Sequence, residues 1–192
     1  MKRIGLFGGT FDPPHIGHYK IAKSVLQSLH LDEIWFIPTY HPPHKDIAET
    51  ASYHRLQMVN LMIEDEERFR INTIELDRKG KSYTIDTISQ LEREHPDAKF
   101  YFIIGGDQVA YLPNWKQIDE LMNKVQFIGV ERPGIEWEDV PFVEKLSIPI
   151  IDVSSTEIRE RIYTGRAFKH LVHEKVYAYI KEHELYGFRE SN

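Results

Sequence analysis

Apolar and polar positions along this chain follow two alternating patterns. Short apolar runs rich in Ile, Val, Phe and Tyr predict β-strands at Arg3–Phe7, Glu33–Pro38, Arg70–Leu76, Phe100–Ile104, Val125–Val130 and Ile148–Val153. Stretches with apolar residues three and four positions apart predict helices at His18–Leu29, Ser52–Glu64, Thr84–His95, Trp115–Asn123, Thr156–Tyr163 and His173–His183. Strands that alternate with such helices indicate βαβ units, so we expect a doubly wound, mostly parallel α/β sheet with helices on both faces.

The carboxyl ends of the predicted strands are where a sheet of this kind binds its ligands. The segments that follow the strands are Gly8–Pro14, Thr39–Thr50, Lys79–Tyr83, Gly105–Asn114, Glu131–Asp139 and Ser154–Ser155. The Thr39–Thr50 segment is polar and contains two prolines, which makes it a candidate lid over the site.

Size and composition narrow the class of protein. The chain has 192 residues, of which 41% are apolar, and this is enough for one sizeable core. We expect a single domain over residues 1–192, with residues 154–192 as a C-terminal helical segment packed on it. The net charge of −6 argues against a general nucleic-acid binder, and the absence of cysteine excludes disulfides, thiolate metal sites and cysteine nucleophiles. Neither a signal peptide nor a membrane span is predicted, so we expect a cytoplasmic protein.

The stretch GGTFDPPHIGH at residues 8–18 carries the strongest chemical signal. It joins a strand to a helix through two glycines and a Pro-Pro corner, which is a geometry that binds phosphate. His15 and His18 share one helix face and stand where that phosphate would be. Two solvated histidines, or a zinc site completed by His41 and His44, are the alternatives. No Asp or Glu completes a known zinc spacing, and the glycines favour phosphate.

The stretch SSTEIR at residues 154–159 predicts a second helix N-terminus. Ser154 and the glutamate three residues later have the spacing of a capping box, which explains those two residues without any function. It does not explain Ser155, Thr156 and Arg159, whose hydroxyls and guanidinium group would form a second phosphate site. The cap and the phosphate site are compatible with each other.

Two further segments carry weaker signals. Gly105 and Asp107 follow a buried strand, where a glycine turn admits a ligand and a carboxylate can accept ribose hydroxyls; a turn with an Asp cap has the same pattern. Trp115 fits a core aromatic and a stacking surface equally well. In the sequence PPHK at 42–45, Lys45 would bring a positive charge to a phosphate or simply be solvated.

Together these motifs resemble a known family. GGxFDPxHxGH at 8–18 and SSTxIR at 154–159 are similar to the two signatures of the nucleotidyltransferase superfamily. GxDx7W at 105–115 and PPHK at 42–45 narrow the resemblance to the bacterial nicotinate-nucleotide adenylyltransferases, over nearly the whole chain. The resemblance implies a Rossmann-like nucleotidyltransferase fold. It also implies transfer of the adenylyl group of ATP to nicotinate mononucleotide, which gives nicotinate adenine dinucleotide (deamido-NAD) and pyrophosphate in NAD biosynthesis.

The resemblance also implies roles for individual residues. The catalytic residues it implies are His15, His18 and Arg159. The residues implied for ATP are Gly8, Gly9, Thr10, Phe11, His18, Gly105, Asp107, Ser155, Thr156 and Arg159. Those implied for the mononucleotide are His44, Lys45, Thr84, Tyr111, Trp115 and Arg132. Mg²⁺ is expected on the triphosphate with no side-chain ligands, and the expected partners are the two substrates, without nucleic acid or membrane; a homodimer stays open.

Four rival functions make different demands on the sequence. Another transferase of the superfamily, such as one acting on pantetheine phosphate, typically has threonine in place of His15 and lacks the Asp107–Trp115 pattern. A class I aminoacyl-tRNA synthetase shares His-Ile-Gly-His, but this chain is too short, is acidic and lacks a Lys-Met-Ser-Lys-Ser loop. A nucleotide-sensing module would bind ATP without turnover, and a metal-dependent hydrolase would hold zinc tightly.

Overall fold

A single parallel β-sheet forms the centre of the fold. The computed structural model describes residues 1–41, 48, 50–131, 140–149 and 152–189, with only the backbone of Asp107. Within these residues the strands are β1 (Lys2–Gly9), β2 (Glu33–Pro38), β3 (Phe69–Ile71), β4 (Ala98–Gly105), β5 (Gln126–Glu131) and β6 (Val143–Ser147). They pair in the order β3-β2-β1-β4-β5-β6, and every pairing is parallel. The α/β fold class predicted from the sequence is therefore confirmed.

Helices connect the strands and follow the last one. They are α1 (Ile16–Ser28), α2 (Ser52–Ile63), α3 (Ile74–Arg78), α4 (Thr84–Glu94), α5 (Gly106–Val109), α6 (Ile118–Lys124), α7 (Ser155–Tyr163) and α8 (Glu174–Glu182). Short 3₁₀ turns lie at Leu112–Asn114, Lys169–Leu171 and Leu185–Gly187. No helix in the described ranges is long and apolar enough to span a bilayer.

Both faces of the sheet are covered, which explains why consecutive residues in the middle of its central strands are buried, residues 4–7 of β1 and residues 100–104 of β4. One core lies under α1, α2, α7 and α8 and includes Val25, Met58, Ile158 and Val176. The other lies under α4 and α6 and includes Ile88 and Leu121. From β1 the strands β2 and β3 extend the sheet to one side, and β4, β5 and β6 extend it to the other side, so the order of strands reverses between β1 and β4. Ligands of doubly wound sheets bind at such a switch point.

The strand predicted at Ile148–Val153 is not found in the described residues of that segment, and residues 150 and 151 lie outside them. The sixth strand is β6, which ends at Ser147. Pro149 lies inside the predicted strand, and proline has no N–H group for a sheet ladder. The true strand lies at the sheet edge and mixes apolar Val143 and Leu146 with charged residues, a weaker signal than the isoleucines that follow it.

Two other predicted elements have different limits. The strand predicted over Arg70–Leu76 ends at Ile71, because the Asn72 side chain accepts the N–H of Ile74 at 3.0 Å and starts α3. The helix predicted from Trp115 begins at Ile118, after a 3₁₀ turn and the left-handed residue Gln117 (φ 55°). The lid predicted over residues 39–50 lies largely outside the described residues.

Candidate active site

Two turns were predicted from the sequence to bind phosphate, and we call them the first and second phosphate turns. The first, residues 8–15, connects β1 to α1. Gly9 has no room for a side chain, because a Cβ atom there would lie 2.9 Å from the Phe11 ring. Phe11 itself has a positive φ of 52° and is buried against Phe7 and Phe36, with ring centroids 5.9 and 5.8 Å away. Its side chain is therefore part of the core, so any contact of Phe11 with ATP would come from its backbone.

His15 and His18 cap α1 reciprocally. The Nδ1 atom of His18 accepts the backbone N–H of His15 at 3.1 Å, and the Nδ1 atom of His15 accepts the N–H of His18 at 3.4 Å. The two rings stack with centroids 3.6 Å apart and planes 25° apart. Because both Nδ1 atoms are acceptors, each neutral imidazole carries its proton on Nε2. A phosphate oxygen is a suitable acceptor for that N–H group.

The second phosphate turn, at the N-terminus of α7, touches the first one. The Ser155 hydroxyl donates to the carbonyl of Pro13 at 2.8 Å, and the Arg159 guanidinium donates to the carbonyl of Asp12 at 2.9 Å. These pairs are separated by more than 140 residues of sequence. The two motifs of the sequence analysis therefore lie side by side at one edge of the sheet.

Local capping explains the remaining residues of the second turn. Ser154 accepts the backbone N–H of Glu157 at 3.1 Å, as its spacing predicts, while the Glu157 carboxylate pairs with Arg161 at 2.8 Å. Thr156 is exposed in the first turn of α7. Its hydroxyl is thus in the part of the helix where a bound anion would lie.

A buried polar network beneath the first turn has no counterpart in the sequence analysis. The Asp12 carboxylate is buried; one oxygen accepts the Tyr186 hydroxyl at 2.6 Å and the other accepts the backbone N–H of Thr50 at 3.3 Å. The buried Arg55 side chain donates to the carbonyls of Thr10 at 2.6 Å and Thr50 at 3.3 Å.

The pKa values of two side chains in this network are shifted by their surroundings. Burial lowers the pKa of Arg55, an effect that the negative charge of Asp12 opposes. Burial and the neighbouring Asp12 carboxylate both raise the pKa of Tyr186, so this phenol keeps its proton and acts as a donor.

A cleft of about 490 Å³ opens beside the first turn, along the ends of β1 and β4. Residues predicted for both substrates line it: Gly8, Gly9, Thr10, Thr84, Tyr111 and Trp115. Residues that the sequence did not assign to either substrate line it as well, among them Thr39, Glu75, Ser82, Tyr83, Gln108 and Lys116. The cleft therefore connects part of the predicted ATP site to part of the predicted mononucleotide site.

Trp115 is both a core residue and a cleft residue. Its indole meets Phe102 and Phe127 edge to face, with centroids 5.9 and 6.1 Å away, while the residue stays half-buried and lines the cleft. These two contacts hold the ring in a fixed orientation. Tyr111, also on the cleft wall, is 67% exposed.

Glu75 is an unexpected acid in this cleft. It is buried, and its carboxylate accepts the Thr87 hydroxyl at 2.9 Å, with Ser82 and Thr39 as further hydrogen-bonding neighbours. Burial raises the pKa of Glu75, although these hydroxyls and the Arg78 charge oppose the change. No signal in the sequence pointed to it, because the segment was predicted as a strand.

The N-terminus of α4 is open toward the cleft. Thr84 is its first residue and lines the cleft, and the preceding Tyr83 makes no side-chain cap. The first N–H groups of a helix lack partners within the helix and carry partial positive charge. This end of α4 is thus suited to a carboxylate.

Several predicted site residues fall outside what the structure describes. They are His44, Lys45, Arg132 and the side chain of Asp107. Gly105 ends β4, directly before α5.

The residues described contain no group of three His, Asp or Glu side chains that could hold a metal ion.

Comparison with known proteins agrees with this geometry. A sequence model of the cytidylyltransferase-like family matches residues 6–161. A probable nicotinate-nucleotide adenylyltransferase of Oceanobacillus iheyensis is 49% identical over 188 residues, which is 98% of each chain. The nicotinate-nucleotide adenylyltransferase of Bacillus subtilis is 46% identical over 187 residues, 97% of this chain and 99% of that one.

A solved structure has the same fold. It is the Plasmodium falciparum nicotinic acid mononucleotide adenylyltransferase complexed with NaAD, with a TM-score of 0.84, 23% sequence identity and coverage of 98% of this chain and 99% of that chain. The family match, the full-length relatives and the paired phosphate turns agree, and the chain belongs to the nicotinate-nucleotide adenylyltransferases of the cytidylyltransferase-like family.

Proposed function

We propose that this protein transfers the adenylyl group of ATP to nicotinate mononucleotide, forming nicotinate adenine dinucleotide and pyrophosphate in NAD biosynthesis. The observation that carries the proposal is the contact between the two phosphate turns, through Ser155 with Pro13 and Arg159 with Asp12. A triphosphate is bound best by N–H, O–H and guanidinium donors on more than one side. The contact between the two turns brings donors of these kinds together.

The chemistry requires alignment more than a strong base. The phosphate of nicotinate mononucleotide is already ionised near neutral pH, so one of its oxygens can attack the α-phosphorus of ATP directly. A new P–O bond forms, the bond to the β-phosphate breaks, and pyrophosphate leaves with the electron pair. The protein must hold two anions in line and neutralise the charge that develops on the leaving group.

At the ATP end, we assign the charge neutralisation to the two turns. His18 and His15 would donate from Nε2 to the phosphates, and Arg159, Thr156 and the backbone N–H of Ser155 would bind the β- and γ-phosphates, since the Ser155 hydroxyl proton is donated to Pro13. The reciprocal hydrogen bonds of the histidines fix both rings before ATP arrives, so little reorganisation is needed in the transition state. Gly8–Phe11 would contribute backbone contacts, and Gly105 and Asp107 would lie beside the adenosine.

At the other end of the cleft, we assign the nicotinate ring to the face of Trp115. Its carboxylate would accept backbone N–H groups near Thr84 and Tyr111, where the open end of α4 supports an anion. The mononucleotide phosphate would be bound by His44, Lys45 and Arg132.

Mg²⁺ fits this site as part of the ATP complex. Hard cations prefer oxygen ligands, whereas the donors of the two turns are imidazole, hydroxyl and guanidinium groups that suit phosphate. We therefore propose that phosphate oxygens and water hold the ion, with no carboxylate cluster of the protein. When bound, Mg²⁺ would neutralise charge on the leaving pyrophosphate.

A two-substrate assay tests the proposal. Purified protein is incubated with Mg²⁺, ATP and nicotinate mononucleotide, its amide analogue or pantetheine phosphate, and both dinucleotide and pyrophosphate are measured. We expect equal amounts of deamido-NAD and pyrophosphate with the nicotinate substrate. Faster turnover of pantetheine phosphate, or ATP binding without pyrophosphate release with any acceptor, would overturn the assignment.

A further inference from the structure

We propose that the Tyr186 hydroxyl, near the carboxyl end of the chain, is a positioning residue for the triphosphate: by binding the Asp12 carboxylate it holds the first phosphate turn in the form that receives ATP. This inference rests on the proposed function of that turn. It adds a residue that neither signature motif contains.

The contact joins parts of the chain that are 174 residues apart. Tyr186 lies in the 3₁₀ turn after α8, and its hydroxyl donates to Asp12 at 2.6 Å. Glu184 and Tyr186 both have positive φ angles, 48° and 59°, in a region that costs a non-glycine residue about 1 kcal/mol or more. Backbone of this kind persists where other contacts compensate, and the hydrogen bond to Asp12 is one such contact.

Charge explains why Asp12 needs this partner. A buried carboxylate in a turn that receives a polyanion would repel it, and an unpaired buried charge is costly in the free protein as well. Tyr186 and the N–H of Thr50 each satisfy one Asp12 oxygen, and the buried Arg55 lies close enough for Asp12 to affect its pKa. Loss of the hydroxyl would leave one carboxylate oxygen without this donor.

The backbone of Asp12 transmits the effect to groups that we assign to ATP. The carbonyl of Asp12 accepts Arg159, and the carbonyl of the next residue, Pro13, accepts Ser155. The side chain of Asp12 is held by Tyr186 while its peptide holds Arg159. A rotation of Asp12 would therefore displace the guanidinium and the hydroxyl of the second turn together.

The test compares Tyr186→Phe with Tyr163→Phe. The first variant removes only the hydroxyl, and the second removes an equivalent group from a tyrosine that is 82% exposed and lies 3.7 Å from the position of a Cβ at Gly187. Calorimetry measures ATP and mononucleotide binding for each, and thermal unfolding gives Tm. We expect Tyr186→Phe to weaken ATP binding about tenfold, with mononucleotide binding changed less than about twofold. Tyr163→Phe should match the wild type.

A double-mutant cycle with Asp12→Ala separates positioning from general stability. In the Ala background the acceptor of the Tyr186 hydroxyl is gone, so we expect Tyr186→Phe to change ATP binding less than about twofold. An equal tenfold loss in both backgrounds would overturn the route through Asp12. A lower Tm with unchanged ATP affinity would overturn the proposal, because the hydroxyl would then serve only stability.

The readout is independent of turnover. A wild-type protein that binds ATP but releases no pyrophosphate would overturn the proposed function. The loss of ATP affinity in Tyr186→Phe would in that case still support the role of Tyr186.

Discussion

The two ends of the candidate site, the pair of turns and the cleft beside them, are constructed differently. The phosphate end is held by hydrogen bonds between distant parts of the chain, such as the one from Arg159 to the carbonyl of Asp12. Each carboxylate oxygen of Asp12 also accepts a hydrogen bond. The mononucleotide end presents half-exposed aromatic rings and the open end of a helix. On the proposed assignment the difference follows from chemistry. Charge would develop at the first end, which requires groups that are fixed in advance, whereas the second end would recognise a flat ring and a carboxylate.

The supporting structure of the two ends differs as well. His15 and His18 hold one another through backbone and ring contacts. Trp115 is supported from behind by Phe102 and Phe127 and keeps a surface toward the cleft. Changes at the first end should therefore reduce kcat and ATP binding, and changes at the second should reduce mononucleotide binding.

The largest effect is expected from His18→Ala. The loss of one preorganised donor should reduce kcat by about 100-fold. The same change removes half of the reciprocal cap, so the free energy of unfolding should fall by about 1 kcal/mol. Steady-state kinetics and thermal unfolding measure the two effects.

His173→Ala is the matched control for that change. His173 caps α8 through its own Nδ1 atom, which accepts the N–H of Lys175 at 3.3 Å. We expect a similar loss of stability with unchanged kcat. If both variants lose activity equally, the effect of His18 is one of capping and stability, and the catalytic assignment is wrong.

Trp115→Ala should have the next largest effect, because stacking of a base on an aromatic side chain contributes about 1–3 kcal/mol. The KM for nicotinate mononucleotide should rise about tenfold or more, with the KM for ATP changed less than about twofold. Trp115→Phe should retain most of the affinity. A raised KM for ATP with an unchanged KM for the mononucleotide would mean that Trp115 contacts ATP and that the two substrates are assigned to the wrong ends of the site.

Glu75→Gln should change how stability depends on pH. Burial raises the pKa of Glu75 above its ordinary value of 4.5, so between that value and the raised pKa the folded protein holds the proton more tightly than the unfolded chain. The contribution of Glu75 to stability is thus fully present below pH 4.5 and is lost as the pH rises through the raised pKa. The Tm of the wild type relative to Glu75→Gln should fall as the pH rises above 4.5. A relative Tm that rises instead would mean that the pKa is lowered.

The smallest effect is expected from Ser154→Ala. Removal of this cap should lower the free energy of unfolding by about 1 kcal/mol and the Tm by about 2–4 °C. The kinetic constants should stay as in the wild type. A selective loss of ATP binding would show that Ser154 contacts the phosphates and would extend the phosphate end by one residue.

The sequence predicted those parts of the site that depend on local pattern and on topology. Histidines at a helix start and a serine cap can be identified within a few residues. The rule that ligands bind at the carboxyl ends of parallel strands then places the first turn beside Gly105. The sequence left open whether Trp115 is a core aromatic or a stacking surface. The structure shows that it packs on Phe102 and Phe127 and lines the cleft, and its stacking on a ligand stays a prediction.

The sequence could not predict contacts that depend on three-dimensional packing alone. Tyr186 meets Asp12 from the far end of the chain, and no spacing or periodicity connects them. Glu75 was hidden in a segment that was predicted as a strand, because the turn chemistry of Asn72 was not considered. Ile148 and its neighbours were predicted as a strand because apolar content outweighed Pro149.

The most direct test of the account is a crystal structure with Mg²⁺ and a non-hydrolysable ATP analogue. We expect one triphosphate within hydrogen-bond distance of His18 Nε2 and of both Ser155 and Arg159. A triphosphate that contacts only one of the two turns, or neither of them, would contradict the proposed function of the turns.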